Sequence, residues 1–291
     1  MRTAMYLILL VLCAPPFGCD DPPVPGPASA SAARDGLPNL QRVDPELDVW
    51  VGGQPHPGIG EAALAALGIR SVIVVDALAP LADSDSIVRV HMPLKYSGID
   101  AMESGQLAHL VGSLERPIYI HCHHGTNRAP AAAAVGLVCT GEWSNEQGLS
   151  LLERSGTDDA FKGLFESVRA AGVLKKADRP VYDGASVRIE DLAVSMAAVD
   201  DAFLELEQAS KQGWLDADAP AEAARLVDLL RVSFERTSLN EDLLFRKLAE
   251  GCIERAAELE ASLLAGERDL SLKRFMAVEA TCSACHDRFR N

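Results

Sequence analysis

The sequence predicts an α/β domain with a mostly parallel sheet, followed by an all-α four-helix bundle. Between about residues 43 and 175, short apolar runs alternate with helical stretches, an order typical of a parallel sheet covered by helices. From about residue 187 the strand patterns end, and four segments follow in which apolar residues recur every three or four positions. The α/β domain is therefore assigned to residues 41–176 and the bundle to 188–291, with 177–187 as the linker.

Each predicted element has its own local pattern. Apolar runs rich in β-branched residues indicate strands at VWVGGQ, SVIVVD, VRVHMPL and PIYIHC. Helical spacing indicates helices at EAALAALG, AMESGQLAHLVGSL, RAPAAAAVGLVCTG, EQGLSLLERSG and AFKGLFESVRAAG. The helices of the bundle are predicted over residues 188–212, 219–236, 240–264 and 271–290, and their short connections suit antiparallel neighbours.

The charge balance excludes some classes of partner. The chain has 291 residues, with 42 acidic and 27 basic side chains and a formal net charge of -15. Such a surface repels nucleic acid and anionic lipid headgroups, so no nucleic-acid partner is expected. An anionic substrate would need a local positive site to overcome the surrounding field.

The first residues have the pattern of an export signal. Arg2 precedes the apolar run MYLILLVLCA, which is too short to span a bilayer. The following PPFGC resembles the lipobox of bacterial lipoproteins and implies lipidation of Cys19; ordinary signal cleavage nearby is the alternative. We expect residues 1–18 to be a signal peptide and residues 19–40, rich in Pro, Ala and Ser, to be a flexible linker. The mature protein is then expected in the periplasm or cell envelope, held at the membrane by its lipid.

A cysteine stands where the predicted strand PIYIHC turns into a helix. In HCHHGTNR, Cys122 and Arg128 are six positions apart, with Gly125 between them. Successive N–H groups of so short a loop form a nest for an anion, and the start of the helix adds positive potential. The same field stabilises a thiolate at the start of the loop, and the planar guanidinium binds two phosphate oxygens.

This loop resembles that of the cysteine-dependent phosphatases of the dual-specificity type, as do GGQP and LAALGIRSVIVV upstream. The resemblance covers roughly residues 45–175. It implies that Cys122 is the nucleophile and that Arg128 clamps the phosphate. The residues whose amides would bind the phosphate oxygens are His123, His124, Gly125, Thr126, Asn127 and Arg128.

Two further features bear on this chemistry. Phosphatases of this type use an aspartic acid on a nearby loop to protonate the leaving group, and KYSGID makes Asp100 the candidate, with helix capping as the alternative. Asp76, Asp83 and Asp85 are alternative candidates for this role, but we expect them to be solvated loop carboxylates. The family usually has Ser or Thr directly after the arginine, where this chain has Ala129. We therefore expect phosphate capture to survive and turnover of the cysteinyl-phosphate to be slow.

Other interpretations of HCHHGTNR stay open. As metal ligands, Cys122, His123 and His124 would have to converge on one ion, although neighbouring side chains on a strand diverge. A purely structural strand end with a buried cysteine is a second alternative. A thiol sulfurtransferase with a similar loop is a third.

The sequence TCSACHDRFRN contains C-x-x-C-H, the signature of covalent haem attachment. Cys282 and Cys285 lie about one helical turn apart, so each thiol can add to a haem vinyl group while His286 reaches the iron. The alternatives are a redox disulfide between the two cysteines or half of a zinc site. No second C-x-x-C exists in the sequence to complete a zinc site.

This motif on the last helix of a predicted four-helix bundle resembles the class II cytochromes c, the cytochrome c′ group, over about residues 186–291. The resemblance implies one covalent haem c, held by Cys282 and Cys285, with His286 as the proximal iron ligand. Some members use a methionine near the start of the first helix as the sixth ligand. Met196 in LAVSMAAVDDAF is the candidate here, with core filling as the alternative.

These patterns together predict an exported enzyme that hydrolyses a phosphate monoester through a cysteinyl-phosphate, joined to a haem domain for electron transfer or for redox or gas sensing. The expected partners are a phosphorylated small molecule or phosphoprotein, a redox partner protein, and the membrane through the lipid anchor. The alternative is a haem c electron-transfer or gas-binding protein whose phosphatase-like domain only binds an anion.

Overall fold

The computed structural model describes residues 35–77, 86–182, 192–215, 218–235 and 237–289. The predicted signal peptide, Cys19 and most of the predicted flexible linker lie outside these ranges, as do Asp83 and Asp85. Within the described ranges, no helix combines the length and the apolar character needed to cross a membrane.

A five-stranded sheet forms the centre of the first part of the chain. Its strands are β1 (Gln41–Asp44), β2 (Val49–Gly52), β3 (Ser71–Val74), β4 (Val88–His91) and β5 (Ile118–His121). They lie in the order β1-β2-β5-β3-β4, in which β1 runs antiparallel to β2 and all other neighbours are parallel. The predicted mostly parallel sheet is confirmed, and β1 is a strand that the sequence pattern did not predict.

The helices of this part follow the predicted segments. They are α1 (Gly60–Ala66), α2 (Ala101–Ser113), α3 (Arg128–Thr140), α4 (Asn145–Arg154) and α5 (Lys162–Ala170). Helix α3 ends at Gly141, whose φ of 85° is the left-handed conformation that commonly closes a helix.

The central strands β2, β3 and β5 are apolar at almost every position because both faces of the sheet are covered there. In β5, Ile118 and Ile120 pack into the apolar cluster that contains residues of α2, α3, α4 and α5. Tyr119, which points to the opposite face, packs with residues of α1. A sheet buried on both sides reads as continuous apolar runs, as SVIVVD does.

The parallel strands bring their carboxyl ends to one edge of the sheet. His121, the last residue of β5, is in register with Gly52 of β2 and Val74 of β3, and Val74 is in register with His91 of β4. The segments that follow these strands therefore meet at this edge: residues 53–55, 75–77, 92–96 and 122–127.

The described C-terminal part is helical. Its helices are α6 (Leu192–Lys211), α7 (Ala219–Glu235), α8 (Leu243–Leu264) and α9 (Arg268–Phe289). Consecutive helices pack against each other around a second apolar core. The four predicted helices are confirmed, whereas their arrangement as a four-helix bundle and the limits of the two domains stay predictions.

Helix α7 belongs to both apolar cores. Ala221 and Ala224 pack with the core of the sheet. Leu226 and Leu230 pack into the core of the helical part. Helix α7 therefore joins the two parts of the chain.

Candidate active site

Residues 122–127 form the turn that connects β5 to α3. Cys122 follows the strand directly, and its side chain is buried, with 2% of the residue exposed. Arg128 is the first residue of α3 and is only 1% exposed. The predicted strand–loop–helix context of the cysteine motif is therefore confirmed.

The N–H of Gly125 in this turn points toward the thiol. The carbonyl of His124 accepts a hydrogen bond from the side-chain amide of Asn39 at 2.8 Å, so it faces away from the loop. In a planar trans peptide the following N–H points in the opposite direction. That N–H belongs to Gly125, and it donates to Sγ of Cys122 at 3.2 Å.

Two more peptides have the same orientation. The carbonyl of His123 accepts from the N–H of Gln54 at 3.0 Å, and that of Thr126 accepts from the hydroxyl of Thr157 at 2.7 Å. Both carbonyls are held outside, so the N–H of the next residue in each case turns inward. The loop thus presents several backbone donors toward one point, which is the arrangement of an anion nest.

Gly125 is required by the close packing of this loop on the turn after β2. Its φ of 84° lies in the left-handed region. A Cβ built there would overlap the backbone of Gly52 and Gly53. The Gly53 carbonyl is fixed in turn by the hydroxyl of Tyr119 at 2.6 Å. The GGQP segment is therefore the platform on which the loop rests.

Arg128 is held at the same edge by partners from two strand ends. Its Nη2 donates to Oδ1 of Asp76 and to the hydroxyl of Tyr96, both at 3.1 Å. Its Nη1 lies 3.3 Å from the carbonyl of Leu94, and the guanidinium carbon lies 4.2 Å from the centre of the Tyr96 ring. Its buried Nε has no hydrogen-bond partner within the described part of the chain. One donor of the guanidinium therefore has no acceptor among the residues that the structure describes.

Helix α7 adds two charged side chains to this site. Asp228 places Oδ2 2.9 Å from Nη1 of Arg128. Arg231, one turn later, lies 3.3 Å from Oδ2 of Asp76 and donates to Oε1 of Gln54 at 3.1 Å. Arg231 also pairs with Asp228 at 3.1 Å. The four charges form one cluster in which no side chain is more than 10% exposed.

The pKa values of the two carboxylates in this cluster are shifted in opposite directions. Burial alone would raise the pKa of Asp76, but Arg128 and Arg231 outweigh it and hold the pKa below its usual value. Burial raises the pKa of Asp228, and the negative charge of Asp76 adds to this effect against the attraction of Arg128. Burial also raises the pKa of Glu260 on α8 to about 7, and Asp228 adds to the rise. Of these acidic groups of the helical part, Asp228 is the one in direct contact with Arg128.

The histidines beside the thiol are neutral at pH 7. Burial lowers the pKa of His121 to about 4. The pKa of His123 is also about 4, first because of burial and then because of the positive charge of Arg231. The ring of His123 lies against that of His124, with centroids 4.3 Å apart.

The structure corrects one expectation and identifies residues that the sequence did not indicate. Asp76 is not a solvated loop carboxylate: it is 1% exposed and pairs with two arginines. Tyr96, Asp228 and Arg231 also belong to the site. Tyr96 lies in KYSGID, four residues before the aspartate that the sequence pattern favoured. An Asp and an Arg three positions apart on an apolar helical face were the available signal for the other two, because buried charges are rare unless they are paired.

Asp100 is the N-cap of α2. Its Oδ1 accepts a hydrogen bond from the N–H of Glu103 at 2.8 Å, and the Glu103 side chain accepts from the N–H of Asp100 at 2.8 Å. The residue is exposed. This is the capping box that was the alternative to a general acid. The catalytic role of Asp100 stays a prediction.

No group of three or more His, Cys, Asp or Glu side chains in the described ranges is arranged to hold a metal ion. This finding gives no support to a site made of Cys122, His123 and His124.

The C-x-x-C-H residues lie near the end of α9. Cys285 and His286 follow Cys282 by three and four positions, so the three side chains share one side of the helix. Cys285 is 6% exposed and lies in the helical core, and Cys282 packs against that core, as does Met196 of α6. Both cysteines are free thiols. A hydrogen bond from Cys252 of α8 lowers the pKa of Cys282.

No known protein-family model matches the chain, and no curated protein matches it significantly. Several solved structures show a similarity. One is TpbA of P. aeruginosa, with 21% identity and a TM-score of 0.36 over 47% of this chain and 91% of that chain. A second is human DUSP28, with 15% identity and a TM-score of 0.35 over 45% and 93%. A third is PTPMT1 in complex with PI(5)P, with 16% identity and a TM-score of 0.34 over 45% and 94%. The similarity is to phosphatase-like folds and lies in the N-terminal half. With TM-scores below 0.4, it is too distant to assign a family or an activity.

Proposed function

We propose that the α/β part is a phosphate monoester hydrolase of the cysteine-dependent, dual-specificity phosphatase type. The observation that carries the proposal is the loop around Cys122. Its outward-bonded carbonyls turn the N–H groups toward the thiol, and a buried arginine starts the next helix. This combination suits a tetrahedral dianion more than a metal ion or an apolar ligand.

The proposed reaction has two displacements. The Cys122 thiolate attacks phosphorus, the S–P bond forms, and the P–O bond to the leaving group breaks. Asp100 gives its proton to the leaving oxygen. Water then attacks phosphorus and gives its proton to Asp100, the S–P bond breaks, and inorganic phosphate leaves. The inward N–H groups and Arg128 stabilise the charge on the three spectator oxygens in both steps. The substrate class is a phosphorylated small molecule or phosphoprotein.

The test is hydrolysis of an aryl phosphate by the full-length chain. The variant Cys122→Ser should have no activity above background because serine is a far weaker nucleophile at neutral pH. Cys139→Ser is the matched control, since Cys139 is also a buried free cysteine but lies on α3, outside the loop. Equal rates for the wild type and the Cys122 variant would reject the proposal.

We also propose that the helical part is a four-helix bundle of the cytochrome c′ type that carries one covalent haem c. The residues present fit such a group. The two thiols and His286 share one side of α9, next to an apolar core that Met196 also borders. Phe203 of α6 stacks on Phe275 of α9 at 4.8 Å, so the first and last helices of this part are in contact. Haem, when bound, supplies an iron centre for electron transfer or gas binding. Cys282 and Cys285 would hold it, with His286 and Met196 as the iron ligands.

Covalent haem is tested by expression with a c-type maturation system. The wild type should keep a visible haem spectrum after denaturation and acid extraction, and its mass should include one haem. The double variant Cys282→Ala, Cys285→Ala should lose both. Cys252→Ala is the control, because Cys252 contacts Cys282 but lies outside the motif. A wild type whose mass shows a disulfide or bound zinc in place of haem would reject the proposal.

Covalent haem attachment is consistent with export, so we also propose that the mature chain works in the periplasm or cell envelope. Lipidation at Cys19 would anchor it, and a redox partner protein would exchange electrons with the helical part. Ala129 supports a second candidate function, in which the haem part is the active one and the α/β part binds an anion without turnover.

A further inference from the structure

Helix α7 carries two charges on a face that is otherwise apolar. Its buried residues include Leu226, Val227 and Leu230, which continue the pattern of a core-facing stripe. Asp228 interrupts this stripe and is 7% exposed, and the Arg231 side chain is 10% exposed. Buried charges cost free energy unless they are paired. Asp228 and Arg231 pair with each other, and each also has a partner outside the helical part, at the strand-end edge of the sheet.

The Asp228 carboxylate binds the Arg128 guanidinium, the group that would hold the phosphate in the proposed function. Its Oδ2 lies 2.9 Å from Nη1 of Arg128. A carboxylate and a phosphate present similar pairs of oxygens to an arginine, so they compete for it. Asp76 and Tyr96 already occupy Nη2. Among the polar nitrogens of Arg128, the buried Nε has no hydrogen-bond partner in the described part of the chain.

Arg231 fastens the helix to the other components of the loop. It contacts Asp76, the carboxylate that orients Arg128. It also contacts Gln54, whose own N–H holds the carbonyl of His123 outward. Through Arg231, helix α7 therefore contacts both the carboxylate that orients Arg128 and the GGQP segment that supports the loop.

We propose that α7 is an autoinhibitory element whose Asp228 carboxylate occupies Arg128 in place of the phosphate group of a substrate. This proposal rests on the proposed function of the loop. The closed state binds its own carboxylate, and the open state, with α7 withdrawn, binds a phosphate ester. Since α7 also packs in the core of the helical part, a rearrangement of that core would move Asp228 and Arg231 together.

The test compares full-length wild type with Asp228→Asn, which keeps the size of the side chain and removes its charge. The control is Glu222→Gln on the same helix. Glu222 pairs with Arg225 at the same three-residue spacing, but its side chain is 28% exposed and its partner lies on the same helix. Two quantities are measured in each protein. One is the rate of aryl phosphate hydrolysis. The other is the rate at which iodoacetamide alkylates Cys122, followed by peptide mass spectrometry with and without inorganic phosphate.

We expect Asp228→Asn to raise both rates roughly tenfold, within the range usual for coupling between two states. Inorganic phosphate should protect Cys122 in this variant far better than in the wild type. Glu222→Gln should match the wild type. If Asp228→Asn does not fold, Arg231→Gln replaces it, because it breaks the contacts to Asp76 and Gln54 and should act in the same direction.

The outcomes separate this inference from the proposed function. Equal alkylation rates and equal protection by phosphate in the wild type and the variant would overturn autoinhibition while leaving the phosphate site intact. Faster alkylation of the variant without protection by phosphate in any protein would overturn the proposed function. The contact between α7 and Arg128 would then have another role.

Discussion

Ala129, the residue directly after Arg128, is where the chain departs from the phosphatase resemblance of its loop. It is fully buried in the first turn of α3, beside Arg128. A hydroxyl at this position would donate a hydrogen bond to the leaving thiolate when the phosphocysteine breaks down. Its absence affects the second displacement more than the first. Binding and trapping of phosphate are therefore expected to be more robust than turnover.

Ala129→Ser should raise the steady-state rate of aryl phosphate hydrolysis by about tenfold, the lower range for one added hydrogen bond to a developing charge. The measurement is a stopped-flow time course of product release. The wild type should give a burst close to one product per enzyme, followed by a slow phase, and the variant should speed only the slow phase. Ala131→Ser is the matched control, because Ala131 is equally buried on the same helix. A burst-free wild type, or a control that responds as strongly, would contradict this account of position 129.

At the scale of the secondary-structure element, α2 is capped by Asp100, the residue that is also the candidate general acid. The side chain of each of Asp100 and Glu103 accepts a hydrogen bond from the N–H of the other residue. This capping box explains why α2 begins at this point. One carboxylate can cap a helix and also serve a reaction if its other oxygen reaches the substrate. Substitutions that separate charge from capping distinguish the two roles.

Asp100→Asn should preserve the start of α2, because asparagine caps helices as well as aspartate does. If Asp100 is the general acid, kcat for a poor leaving group should fall by about a hundredfold with the free energy of unfolding nearly unchanged. Ser144→Ala is the control for lost capping. It removes the equivalent cap of α4, should lower the free energy of unfolding by about 1 kcal/mol, and should leave kcat unaltered. An Asp100→Asn variant with wild-type kcat would leave Asp100 with the capping role only.

Most elements, with β1 as the exception, could be predicted from the sequence because each depends on neighbours in the chain. Apolar runs such as SVIVVD and the alternation with helices fixed the sheet, and the Cys122–Arg128 spacing located its loop. The side chains around the guanidinium could not be predicted in the same way. Arg231 and Asp76 are 155 positions apart in the sequence. Helical periodicity predicts which face of α7 is buried, but it does not predict which residues pack against that face. Asp76 was misjudged for the same reason, since its burial depends on those distant partners.

At the scale of the whole molecule, the two parts meet through charges in addition to apolar packing. Asp76 and Arg128 come from the strand-end edge of the sheet, whereas Asp228 and Arg231 come from α7. Buried ion pairs contribute little net stability compared with apolar contacts of similar size, because desolvation offsets the attraction. They do penalise any arrangement in which one partner is left alone. This junction therefore specifies one closed arrangement without making it very stable. The proposed autoinhibitory contact needs both properties, because it has to open before a substrate can bind.

The stability of the whole chain should depend on pH through His121, the last residue of β5, directly before Cys122. Burial lowers its pKa from 6.5 to about 4 in the folded state, whereas the unfolded chain restores the higher value. Between these two pH values the unfolded state binds more protons, so the free energy of unfolding rises with pH across this window. The contribution of His121 is fully present above pH 6.5 and is lost as the pH falls toward 4. Its total size is roughly 3 kcal/mol.

Chemical denaturation of wild type and His121→Gln at pH 8, 6.5, 5 and 4 measures this contribution. The variant cannot take up the proton, so the difference in unfolding free energy between the two proteins should be constant at pH 6.5 and above. It should then shift against the wild type by roughly 3 kcal/mol as the pH is lowered to 4. Carboxylates that titrate in the same range act on both proteins and largely cancel in the difference. Parallel curves over the full range would mean that His121 is not held neutral in the folded state, and the ring could then be charged beside Cys122 at the pH of catalysis.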